Sequence, residues 1–132
     1  MGKNYEPIPA ATEAVARQVV DAAFAVHKNL GPGLLESVYE MCLCHEPGKR
    51  GVPYQRQVAL PIVYDGVRLD AGLRLDLLAA DCLVVELKAA EKPNPLFESQ
   101  VLTYLKLTGH RVGLLVNFNV PLIKDGIRRI IL

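Results

Sequence analysis

Cysteine is scarce in this sequence. Cys42, Cys44 and Cys82 are the whole complement of three, an odd number without CxxC spacing, which argues against a disulfide framework and fits a reducing compartment. No apolar run approaches the length of a membrane span, so no membrane role is expected. The opening residues, MGKNYEPIPAATEA, lack an apolar signal region, and a bacterial-type cytoplasm is the expected location. Neither sign of charge is in excess. A formal net charge of +1 neither demands nor excludes a polyanionic partner, because acidic groups of a metal site would mask basic residues around it. Internal repeats, low-complexity tracts and linkers are also missing, so the 132 residues are read as one domain, 1–132, with 1–10 expected to be flexible. A chain of this length buries about two thirds of its unfolded surface around a real core.

What is present alternates between helical and strand periods. A first helix is expected from Thr12, as N-cap, through EAVARQVVDAAFAVHKNL, with Val15, Val19, Ala22 or Ala23, and Val26 on its apolar stripe. GPG at 31–33 stops it. A second helix, LLESVYEMCLCHE, places Leu34 or Leu35, Val38, Met41 or Cys42, and His45 at helical spacing and should end near Glu46, before Pro47. Strands YQRQVALPIVY and VRLD flank the turn pair Asp65-Gly66, and LRLDLLAADCLVVELKAA supplies two more. Asn94-Pro95 caps and opens a helix with Phe97, Val101, Leu105 and Thr108 on its buried stripe and Tyr104 beside it, ended by Gly109. RVGLLVNFN reads as a strand buried on both faces, and DGIRRIIL as the last strand. The fold class is α/β (α+β), a mixed central sheet flanked by helices.

The chemistry concentrates in Leu73 to Ala90. In that hairpin Leu73, Leu75 and Leu77 share one face with Leu83, Val85 and Leu87, leaving Arg74, Asp76, Val84, Glu86 and Lys88 on the other. A turn centred on Asp81 sets Asp76 across from Glu86, where like charges repel. Two readings account for this. Arg74 and Lys88 neutralise the pair as a solvated charge ladder. Alternatively, Asp76 and Glu86 hold Mg²⁺ or Mn²⁺, which takes carboxylate oxygens and water, while Lys88 orients the attacking water or offsets charge on a pentacovalent phosphorus.

GLLESVY (33–39), LRLDLL, VVELKA and ESQVLTYLKLTGHRVGLLVNF together resemble the GxxExxY proteins, a bacterial and archaeal group of the PD-(D/E)XK nuclease-like superfamily. The resemblance runs from about Val15 to Leu132. It implies a restriction-endonuclease-like core in which Glu36, Asp76, Glu86, Lys88 and Gln100 are catalytic, Asp76, Glu86 and Glu36 hold the metal, and Tyr39 and Tyr104 give substrate or structural support. Taken alone, Glu36 suits a helix N-terminus, Gln100 and Tyr104 suit a polar pair one turn apart, and Tyr39 suits packing. Pro47, Gly48 and Phe97 depart from the pattern that the resemblance implies.

The remaining candidates are weaker. Cys42, Cys44 and His45 on one helix do not aim at a common zinc centre. The glycines form no phosphate loop, and no Ser-His-Asp or Cys-His order stands out. Clusters such as Lys49, Arg50 and Arg56, or Lys124, Arg128 and Arg129, could touch phosphates, but charges at this density are usually just a solvated surface. The expected function is a metal-dependent nuclease acting on DNA or RNA, the alternative an inactive module binding nucleic acid or protein. A homodimer is expected, because the last strand offers a sheet edge and a duplex has two strands to cut.

Overall fold

The computed structural model describes residues 6–132, so the expectation of flexibility falls for residues 1–5 outside the described residues. Helices α1 (Ala10–Leu30) and α2 (Glu36–Lys49) precede strands β1 (Tyr54–Tyr64), β2 (Val67–Ala79) and β3 (Leu83–Lys88). Helix α3 (Pro95–Thr108), strand β4 (Val112–Asn117), a short 3-10 turn (Ile123–Asp125) and strand β5 (Ile127–Ile131) complete the order. The sheet runs β1-β2-β3-β4-β5, with β3 and β4 parallel and every other neighbouring pair antiparallel. This is the mixed sheet with flanking helices that the sequence pattern implies.

Two apolar clusters sandwich the sheet. On one face Val19 and Ala23 of α1 and Tyr39 and Leu43 of α2 meet Leu77, Val85, Leu87 and Leu114. On the other, Tyr104 and Leu105 of α3 meet Leu78 and Val84. Burial at β3 and β4 is continuous, as expected of interior parallel strands covered on both sides. Helix α3 crosses from one to the other and can lie close because Gly113 has no side chain. A Cβ there would stand 2.5 Å from Val101 Cγ1.

The structure corrects several expectations. Helix α1 begins at Ala10, with Pro9 as cap residue, because the Glu13 amide already bonds the Pro9 carbonyl at 3.1 Å, and Thr12 lies buried in the first turn. Helix α2 continues through Pro47 to Lys49. The proline sits in the last turn, where one amide bond is lost and its own carbonyl accepts from Arg50 and Val52. The buried residues of α2 are Tyr39, Leu43, Cys44, Glu46 and Pro47, whereas Leu35, Met41 and His45 are exposed. VRLD and LRLDLLA form one strand rather than two. A register shift opposite Leu60 and Ile62, with Gly72 at φ +75°, lets β2 absorb extra residues and continue. Leu73 and Leu75 join the α3-side cluster and Leu77 the other, so the expected co-facial trio is split where the β1–β2 ribbon leaves the sheet. A two-stranded ribbon twists more strongly than an interior strand.

Candidate active site

The site begins where β2 parts from β3. Their ladder pairs Ala79 with Leu83, Leu78 with Val84 and Leu77 with Val85, the register expected from a turn at Asp81, and Asp76 is the next residue. The strand-to-strand ladder gives way there to a side chain. Asp76 Oδ2 accepts from the Leu87 amide at 2.9 Å, taking the position that a β2 carbonyl would fill farther down. This fixes one carboxylate at the fork, and its charge is the main coulombic influence on Glu86.

Glu86 is 4% exposed, and its Oε1 is buried without a hydrogen-bond partner. Burial first, and then the neighbouring Asp76 charge, push its pKa up to about 8, although Lys88 pulls in the opposite direction. Lys88 Nζ donates to Glu86 Oε2 at 3.3 Å and to Gln100 Oε1 at 2.8 Å, and it stands 4.9 Å from the centre of the Phe97 ring. Gln100 Nε2 donates in turn to the Tyr104 hydroxyl at 2.9 Å, which turns the amide oxygen toward Lys88. Burial and the Glu86 charge raise the Tyr104 pKa, keeping the phenol a neutral partner. Asp76, Glu86, Lys88, Gln100 and Tyr104 thus form one contiguous polar chain across β2, β3 and α3.

Glu36 enters from the opposite side of the fork. It is the first residue of α2, an acid in the first turn of a helix whose N-cap, Leu35, makes no side-chain cap. With Ser37, Glu40, Gln57 and Asp76 it lines a cavity of about 340 Å³. Partial burial, then the Asp76 charge, raise its pKa, partly offset by Lys88, so Glu36 senses both groups of the fork. Among the described residues, no three His, Cys, Asp or Glu side chains are gathered into a preformed metal cluster. Glu36, on an exposed first turn, shares its cavity with the half-buried Asp76, while Glu86 is buried behind it.

Tyr39 lies away from the polar chain. Fully buried, it stacks on Phe118 with ring centroids 4.6 Å apart, donates its hydroxyl hydrogen to the Gly31 carbonyl at 2.6 Å and accepts from the Leu34 amide at 3.2 Å. Its hydroxyl latches the loop that leads into Glu36. Cys44 is buried, and burial pushes its thiol up to about 11, which removes it as a nucleophile at neutral pH. Three cavity residues escaped the sequence reading, Ser37, Glu40 and Gln57. Glu40 was within reach, since it follows Glu36 by four residues and shares its helix face. Gln57 has no such signal, because its placement depends on a backbone irregularity inside β1.

Among the described residues no helix is long and apolar enough to cross a membrane. A family model described as the PD-(D/E)XK nuclease superfamily matches residues 13–130. No match is found to a curated protein or to a solved structure.

Proposed function

The chain belongs to the PD-(D/E)XK nuclease superfamily, and from that premise we propose that it is a metal-dependent nuclease hydrolysing phosphodiester bonds of DNA or RNA. The observation that carries the reading is the buried Glu86 oxygen without a partner, beside Asp76 at the strand fork. Two carboxylates in contact, one of them desolvated, form a donor set that suits a hard divalent cation. Asp76 and Glu86 would hold Mg²⁺ or Mn²⁺, with Glu36 as a further ligand or base. The bound cation would supply Lewis-acid polarisation of a water and of the scissile phosphate.

The chain's own residues do the rest. Lys88 is held at a fixed point by Gln100 and by the Phe97 ring, so its ammonium can orient a water or face the developing charge on phosphorus without reorganising. Tyr104 fixes which way Gln100 points. The finer likeness, to the GxxExxY group, rests on Gly33, Glu36 and Tyr39, with Glu36 at the cavity and Tyr39 supporting its loop. Two observations favour a non-catalytic module that binds nucleic acid or protein. Lys88 and Gln100 already satisfy each other, and no three-carboxylate cage is preformed among the described residues. We further propose a homodimer joined through β5, an edge strand of the sheet.

The experiment is cleavage of single- and double-stranded DNA and RNA with Mg²⁺ or Mn²⁺, beside calorimetric Mn²⁺ binding. Asp76→Ala is expected to abolish both. Lys88→Met is expected to keep Mn²⁺ binding and lower the chemical step by roughly 10²-fold or more. Saturable Mn²⁺ binding without cleavage of any substrate would select the binding module.

A further inference from the structure

Strand β1 contains an irregularity that faces the proposed site. Gln57 has φ +49°, in the left-handed region that a glutamine rarely occupies. The flanking pairs, Arg56 with Leu77 and Val58 with Leu75, set Gln57 opposite Asp76, yet that pair is missing from the ladder. In a regular strand neighbouring side chains point to opposite faces. Here Arg56 and Gln57 turn to the same carboxylate. Arg56 Nη2 donates to Glu40 Oε2 at 2.8 Å, and Gln57 Nε2 donates to Glu40 Oε1 at 2.5 Å.

The consequence is chemical. An ionised carboxylate accepts and does not donate, so Glu40 forces the nitrogen of the Gln57 amide toward itself and leaves the amide oxygen as an acceptor elsewhere. Glu40 has both oxygens occupied and its charge is met in part by Arg56, although it still helps to raise the Glu36 pKa. That cavity is lined by Gln57 together with Glu36 and Asp76. The backbone distortion sets a neutral amide among the acids of this mouth, Glu36, Glu40 and Asp76, rather than a further carboxylate.

Resting on the nuclease-type reading above, we propose that Gln57 is a further residue of the cation site, its amide oxygen accepting from the water shell of the divalent ion, and that Glu40 is the positioning residue that aims it. A small hard cation keeps several of its waters, and the groups that hold such outer ligands are each worth about 10–100-fold in metal affinity or activity.

The test is Mn²⁺ calorimetry on the full chain with Gln57→Gly, alongside thermal unfolding without metal. Glycine accepts the left-handed backbone without strain, so the variant is expected to unfold at or above the wild-type temperature. Its Mn²⁺ affinity is expected to fall about tenfold or more. Undiminished affinity in a folded Gln57→Gly protein would overturn the proposal while leaving the nuclease reading intact. Absence of Mn²⁺ binding in the wild type would overturn both. Should Gln57→Gly fail to fold, Gln57→Asn carries the same readout, since asparagine tolerates this backbone but its amide is one carbon short. Equal affinity there would count against the role.

Discussion

A glutamate that is 4% exposed, beside an aspartate and with one oxygen unpartnered, holds a proton more readily in the folded chain than in the unfolded one. Its pKa rises from 4.5 to about 8, so between those limits the native state carries the extra proton and unfolding releases it. The contribution of Glu86 to stability is therefore fully present below pH 4.5 and is lost as pH rises through about 8. Every tenfold gain in proton affinity corresponds to about 1.4 kcal/mol. The metal-free protein is expected to show a thermal midpoint that falls from pH 5 toward pH 8. In Glu86→Gln this fall should flatten, with the difference reaching a few kcal/mol at the alkaline end. Parallel slopes for the two proteins would place the pH dependence elsewhere. By the same linkage, Mn²⁺ binding at neutral pH should release close to one proton, and affinity should climb with pH until about 8.

At the scale of elements, the polar chain depends on how closely α3 lies over β3 and β4. Gly113 sets that distance, because a Cβ there would meet Val101 Cγ1 at 2.5 Å and Leu105 Cδ2 at 3.6 Å. Gly113→Ala is expected to lose roughly 1–3 kcal/mol in urea unfolding, since the helix must lift or Val101 must leave its rotamer. Because Gln100 lies one residue from Val101, the same change should slow cleavage beyond what the stability loss explains. The elements themselves were largely legible, because period and caps are local. The Asn94 cap accepts from the Leu96 amide at 3.0 Å, and the hairpin register at Leu77, Leu78 and Ala79 follows from its turn. Alternation likewise pointed to Asp76, Glu86 and Lys88. Longer-range packing was less legible. The buried face of α2 is chosen by contacts of Tyr39 and Leu43 with a sheet more distant in sequence, and its continuation through Pro47 depends on carbonyl bonds made after the helix. Gln57 was hidden for a similar reason, since a positive φ inside a strand leaves no periodic trace.

For the whole molecule, β1 and β5 are the two edges of the sheet, and the site lies between them at β2 and β3. Arg129 on β5 is already engaged by Glu13 at 2.6 Å, so pairing through this edge would leave an intramolecular charge contact in place. Light scattering is expected to give twice the 14.5 kDa chain mass, with cutting of both strands of a duplex. A 14.5 kDa species at every accessible concentration would restrict the chain to single-strand cleavage or to a larger heteromeric assembly.

The crossover from β3 through α3 to β4 also bears on the order in which the molecule assembles. Asp76, Glu86, Lys88, Gln100 and Tyr104 all lie within one hairpin and the helix that follows it, so their mutual contacts close short loops. Glu36 reaches Asp76 only across the rest of α2, β1 and most of β2, a longer loop that closes at greater entropic cost. Folding that begins in β2, β3 and α3 would build the lysine side of the fork first. Docking of α2, and with it Glu36, would come as a later event, making the acidic mouth the last part of the proposed site to form.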